Sequence, residues 1–142
     1  MRSATEEDLP SLAQLDRDVF GDAAYPFFVL RQLFDVGHTL VAAQDGDELC
    51  AYALASVKGG EGWLLSLAVA PRHRGHGVGR SLLLHMLLHL RSRLVRKVVL
   101  TVEPSNTTAM TLYQSLGFTC EDAPREDYFG PGESRLLMTL SL

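Results

Sequence analysis

The segment from Leu64 to Leu90, LLSLAVAPRHRGHGVGRSLLLHMLLHL, constrains the fold of this chain more than any other part of it. A short apolar strand runs into an Arg- and Gly-rich loop, and the loop opens directly into an amphipathic helix. The free N–H groups of a first helical turn point into such a loop, and the helix dipole adds partial positive charge there. Gly75, Gly77 and Gly79 carry no Cβ, so the main chain can come close to a ligand, while Arg72, Arg74 and Arg80 surround it with full positive charge. The pattern suits a phosphate or pyrophosphate; the plain alternative is a glycine-rich turn that caps an ordinary helix.

Two common phosphate loops are excluded by spacing. A Walker loop requires G-x-x-x-x-G-K-[ST], and no Lys or Ser/Thr stands in the required places. A dinucleotide fingerprint requires G-x-G-x-x-G straight after the strand, whereas here the glycines alternate as G-x-G-x-G after Pro71-Arg72-His73-Arg74. What remains resembles the R/Q-x-x-G-x-G/A loop of the GNAT family of N-acetyltransferases, with Arg74, Gly77 and Gly79 in the defining positions. A second segment, KVVLTVEPSNTTAMTLYQSLGF from Lys97, is similar to that family's N-x-x-A-x-x-L-Y-x-x-x-G-F signature through Asn106, Ala109, Leu112, Tyr113, Gly117 and Phe118.

The resemblance implies a GNAT acyl-CoA N-acyltransferase fold: an α/β structure with a mixed, mostly antiparallel central sheet flanked by helices. It also implies acetyl-CoA as cosubstrate and an amine acceptor. Leu67, Ala68 and Val69 then occupy the strand whose main chain contacts the cofactor. Arg74, Gly75, His76, Gly77, Val78, Gly79 and Arg80 form the pyrophosphate loop, and Asn106 either reaches the pantetheine arm or serves only as a helix cap. Tyr113 is the candidate general acid that the resemblance supplies, since an unperturbed phenol is protonated at neutral pH and can give a proton to a departing thiolate; the plain alternative is an aromatic packing residue on a helix face. RimI-like members, which acetylate protein N-termini, carry a Glu five residues before the motif Asn. Here that position is Thr101, so Glu103, two residues on along the same strand face, is the candidate base, with Ser66 and Glu61 as weaker candidates for a water relay. The alternatives are that Glu103 is an exposed strand-end residue and that an amine of low pKa needs no dedicated base. The alternatives to a small-amine transferase are a RimI-like N-terminal acetyltransferase and a non-catalytic acyl-CoA sensor.

The rest of the chain sets bounds. Its 142 residues, 46% hydrophobic and 21% charged, predict one globular domain over 1–142. The acidic opening MRSATEEDLP has no apolar h-region, and the Leu-rich 81–90 stretch is too short to span a bilayer, so a cytoplasmic protein that engages no membrane is expected. A net charge of -4 argues against nucleic acid as a partner. A monomer or homodimer is expected. Cys50 and Cys120 read as thiols within strands, and His85 and His89, at i and i+4 but with no third ligand, read as a solvated helix face rather than a metal site. Glu6, Glu7, Asp8, Asp16, Asp18 and Asp22 make the first third acidic, either as a solvated face or as a field favouring a cationic acceptor.

Periodicity places helices at 9–19, 27–36, 77–93 and 107–116 and strands at 2–4, 39–43, 48–58, 63–69, 97–103, 118–122 and 135–141. Asp45-Gly46 is a hairpin turn signal. Tyr128 to Glu133 is an aromatic, glycine-rich loop suited to a substrate mouth, with Tyr25, Phe27 and Phe28 as a possible opposite wall; for Phe27, core packing is the stronger reading.

Overall fold

The computed structural model describes residues 1–44 and 48–142; the Asp45-Gly46 turn lies outside the described residues. The strands are β1 (Arg2–Ser3), β2 (His38–Gln44), β3 (Glu48–Lys58), β4 (Glu61–Val69), β5 (Lys97–Val102), β6 (Thr119–Cys120) and β7 (Leu136–Ser141). The helices are α1 (Leu9–Phe20), α2 (Phe27–Val36), α3 (Val78–Ser92) and α4 (Thr107–Ser115). One sheet takes all seven strands in the order β1-β2-β3-β4-β5-β7-β6. Every neighbouring pair is antiparallel except β4 and β5, which α3 connects as a crossover and which therefore run parallel.

Local chemistry explains the element ends. Thr5 and Asp8 form the expected capping box, with the Thr5 N–H donating to Asp8 Oδ2 at 2.7 Å, and Arg2 clamps the same carboxylate. That clamp holds the Asp8 carboxyl at about 2. Pro26 precedes α2 and Gly37 follows it. At the other end of the chain β6 is shorter than the expected 118–122 strand, and β7 inserts between β5 and β6. The strand at the end of the chain thus occupies an inner position, which no local pattern specifies.

The core lies in two layers. On one face α3 lays Leu82, Leu83, Met86, Leu87 and Leu90 over the small Ala51, Ala53 and Ala55 of β3, with α4 alongside. On the other face α1 and α2 bring Leu9, Leu12, Leu15 and Leu30 against Val41, Tyr52 and Leu54. Alternating strand residues feed the two layers, as a period of two requires. Both cysteines are free, Cys50 being buried in β3. His89 leaves the expected solvated stripe and meets His38 of β2, ring nitrogen to ring nitrogen at 3.0 Å. Phe27 is not core: it is 50% exposed, because α2 turns Leu30 inward instead.

Gly37 sits where the chain passes from α2 to β2 under two carbonyls. A Cβ there would lie 2.6 Å from Leu33 O and 2.7 Å from Ala55 O, both main-chain atoms. Gly37→Ala is expected to destabilise the fold by about 2 kcal/mol through overpacking, read as a lower midpoint in urea unfolding at unchanged slope.

Candidate active site

The central opening comes from how β4 and β5 part. Their parallel pairing runs from Glu61–Lys97 to Leu64–Leu100 and stops there, although β4 continues to Val69 and β5 to Val102. At the same point β4 is bulged against β3: Leu54 pairs with Ser66 and Ala55 with Leu64, leaving Leu65 as the extra residue. Beyond the bulge β4 stays bonded to β3 on one edge, and its other edge faces the gap. A cleft of about 580 Å³ occupies this gap, reaching from Leu64–Leu67 to Leu100–Glu103.

Tyr113 and Asn106 bring α4 to one wall. Asn106 Oδ1 accepts the Ala109 N–H at 3.1 Å, so the residue does cap α4, and it also lines the cleft. Tyr113 packs beside Phe118, ring centroids 5.9 Å apart, and burial pushes its phenol above the ordinary tyrosine value. It is therefore a protonated group at neutral pH.

The glycine loop lies where β4 ends. Gly75 and Gly77 take left-handed φ of 81° and 77°, and open space surrounds the Cβ position of each. Gly79 matters for a different reason: a Cβ there would stand 3.2 Å from Val69 Cγ2, a tight contact that glycine avoids where α3 starts against β4. The first intrahelical bond runs from the Ser81 N–H to Gly77 O, which leaves the N–H groups of Val78, Gly79 and Arg80 directed out of the helix start. Arg74 Nε donates to Val69 O at 3.2 Å, and Arg72 is paired with Glu48. His76 and Arg80 are exposed at the loop. Leu67 faces the cleft, whereas the Ala68 side chain is buried on the α1 face.

Glu103 lies just beyond the end of β5 on the cleft margin. It is 58% exposed and faces the Arg135 guanidinium at 3.5 Å, which also pairs with Glu133 and covers the Phe129 ring. Thr101 lines the cleft next to it; Glu61 does not, and accepts from Trp63 Nε1 instead. Of the aromatic residues expected at the mouth, Phe129 and Tyr25 line the cleft, while Phe28 is 66% exposed outside it.

Sequence reasoning missed one residue of consequence. Asp16 is 1% exposed, not part of a solvated acidic face, and it is the buried charged side chain among the described residues. Its Oδ2 accepts the Tyr25 N–H at 2.7 Å and its Oδ1 accepts the Tyr52 hydroxyl at 2.5 Å. The signal was present: Leu9, Leu12, Ala13 and Asp16 fall at i, i+3, i+4 and i+7, so helical spacing puts the carboxylate on the buried stripe. Among the described residues no group of three or more His, Cys, Asp or Glu is placed to hold a metal ion, and no helix is long and apolar enough to cross a membrane.

Comparison with known proteins agrees with this architecture. The model of the acetyltransferase (GNAT) family matches residues 6–118. The chain is similar to the ribosomal protein bS18-alanine N-acetyltransferase of Escherichia coli (strain K12), with 36% identity over 88 residues, 62% of this chain and 59% of that protein. It is also similar to the mycothiol acetyltransferase of Thermobispora bispora, with 53% identity over 53 residues, 37% of this chain and 18% of that protein. The aligned segments thus span about three fifths of the first relative and under a fifth of the second. A crystal structure of the ribosomal-protein-S18-alanine N-acetyltransferase from Escherichia coli superposes with a TM-score of 0.87 at 28% identity, over 98% of this chain and 90% of that one.

Asp16→Ala would strip two buried donors of their acceptor. A loss of about 3 kcal/mol is expected, measured as the fall in unfolding free energy relative to the parent chain.

Proposed function

Because the chain belongs to the acetyltransferase (GNAT) family, we propose that it moves the acetyl group of acetyl-CoA onto a primary amine of a small molecule or peptide. Attack is direct, within a ternary complex. The observation that carries this reading is the gap between β4 and β5, with a half-buried, protonated Tyr113 on one wall and a glycine loop at the end of β4. The residues present fit the cosubstrate. Open space at Gly75 and Gly77 and the outward N–H groups of Val78, Gly79 and Arg80 suit a pyrophosphate, with Arg74, His76 and Arg80 around it. The edge of β4 from Leu67 to Val69 faces the gap and suits the amide groups of a pantetheine arm, the Val69 carbonyl being already taken by Arg74 Nε. The carboxamide nitrogen of Asn106 is left for the same arm once its oxygen has capped α4.

The chemistry follows from these placements. The amine lone pair attacks the thioester carbon, a C–N bond forms, and the C–S bond breaks. The electron pair leaves on sulfur, Tyr113 gives the thiolate its proton, and the second N–H proton, shed as the nitrogen becomes an amide, restores the phenol through solvent. The ammonium must lose a proton before it can attack. Glu103 stands at the acceptor end, where its carboxylate and that of Glu133 draw a cation past Arg135. Thr101, in the place where RimI-like members carry a Glu, provides no base, so the acceptor need not be a protein N-terminus.

Release of free CoA thiol from acetyl-CoA tests the proposal, with spermidine, free amino acids, an aminoglycoside and an alanine-initiated peptide as acceptors. Acceptor-dependent release is the expected result; acetyl-CoA binding in calorimetry with no stimulation by any acceptor would instead favour a sensor domain. Tyr113→Phe should retain acetyl-CoA affinity and lower turnover by about 10²-fold, and unchanged turnover would remove the acid from Tyr113. Gly77→Glu places a carboxylate and a strained left-handed residue in the loop. Titration calorimetry should find acetyl-CoA binding lost while the thermal midpoint shows the fold retained.

A further inference from the structure

The buried Asp16 has no place in the acyl transfer as described so far, and its partners lead to the cleft. Its carboxylate receives the Tyr52 hydroxyl at 2.5 Å, and Tyr52 in turn lies 2.9 Å from Ser66 Oγ. Ser66 and Asp16 both line the cleft, while Tyr52 is fully buried between them. The polarity of this chain of bonds follows from counting protons. A carboxylate only accepts, so Tyr52 spends its single proton on Asp16. The Ser66–Tyr52 contact then has only one possible donor, the Ser66 hydroxyl. The lone pairs of Ser66 Oγ are left as acceptors at the cleft.

Resting on the acyl-transfer reading above, we propose that Ser66, Tyr52 and Asp16 form a proton relay that deprotonates the acceptor ammonium. An N–H proton of the ammonium passes to Ser66 Oγ, the Ser66 proton passes to Tyr52, and the Tyr52 proton passes to Asp16. The amine becomes neutral and Asp16 becomes a carboxylic acid, with every O–H bond broken matched by one formed. After transfer the proton returns by the same path to solvent. Ser66 is the catalytic residue of the three, because it touches the amine; Tyr52 and Asp16 act through it.

Three features support the assignment. First, the bulge at Leu65 puts Ser66 on the α1 face of the sheet, whereas Tyr113 packs with the α3 and α4 layer. Base and acid then stand on opposite faces of the one gap, so that Ser66 can meet the amine nitrogen while Tyr113 meets the sulfur, without either group taking the other's proton. Second, burial and the Asp16 carboxylate push the Tyr52 phenol far above the ordinary tyrosine value, so it conducts by receiving one proton as it gives another and does not rest as a phenolate. Third, the Tyr25 N–H fixes the second oxygen of Asp16, so the carboxylate is held in place for the exchange. The titratable and charged groups around the path are Tyr25 on the segment before α2, Tyr113 on α4, and Glu103 and Arg135 across the cleft. Glu103 is the rival acceptor, but it is more than half exposed and shares its charge with Arg135.

Tyr52→Phe keeps the ring and removes the relay, and Ser66→Ala removes its first member with a smaller change of volume. The measurement is kcat/KM against pH, with the amine from the panel above that the parent chain turns over fastest, together with acetyl-CoA affinity and thermal midpoint. Each variant is expected to lose about 10²-fold at pH 7 with acetyl-CoA affinity retained. The deficit should shrink as pH rises toward the pKa of the amine itself, since solution then supplies the free base. A deficit constant across pH would mark a structural role and overturn the relay. So would parent-like profiles in both variants, or a pH-dependent loss confined to Glu103→Gln. If the parent chain shows no acceptor-dependent release at all, the acyl-transfer reading fails and the relay falls with it.

Discussion

The structure depends on the early end of one hydrogen-bonded ladder. β4 and β5 are the only parallel neighbours in the described sheet, and they pair over four positions before parting at Leu64 and Leu100. A sheet that closed at this point would bury its main-chain groups in secondary structure and leave nothing for a ligand. The separation is stable because each strand is held on its far side, β4 by β3 and β5 by β7. The gap is therefore an opening between two well-supported strands, not a loosened edge, and it passes from one face of the sheet to the other.

Everything chemical is arranged around that passage. α3 begins close to the end of β4 because Gly79 has no side chain to keep Val69 away. α4 follows β5 after a short turn that Asn106 caps, and so carries Tyr113 to the gap. On the opposite face α1 crosses β3 and β4 and lowers Asp16 into the layer that Tyr52 shares. Burial raises the phenols of Tyr113 and Tyr52 alike, but for different ends: the first stands at the cleft alone, and the second lies between a carboxylate and a serine. The same desolvation produces a proton donor in one place and a proton conductor in the other because the neighbours differ.

The parts legible in the sequence were those whose chemistry is local. The Arg74–Gly79 loop, the Asn106–Phe118 helix and the capping box at Thr5 each declare themselves within about a dozen residues, and the helices and most strands fall within a residue or two of their expected bounds. Errors came where long-range packing decides. Phe27 was expected in the core but is half exposed, since the orientation of α2 on the sheet selects Leu30. Asp16 was expected in solvent by its company of Glu6, Asp18 and Asp22, although its own spacing matched the buried stripe. His89 likewise meets a partner 51 residues away.

Near-neighbour chemistry along the chain was enough to set the kinds of element, their order, and the family loop and signature around Arg74 and Tyr113, because turn chemistry, capping and apolar period all act over short stretches. Long-range packing was needed for β7 to enter between β5 and β6, for β4 to bulge at Leu65, and for Asp16, Tyr52 and Ser66 to join in one line of hydrogen bonds. Those outcomes depend on which surfaces meet when the sheet and its two helical layers pack together. A buried carboxylate is tolerated only where that packing brings donors to both of its oxygens, and no stretch of sequence contains all three partners.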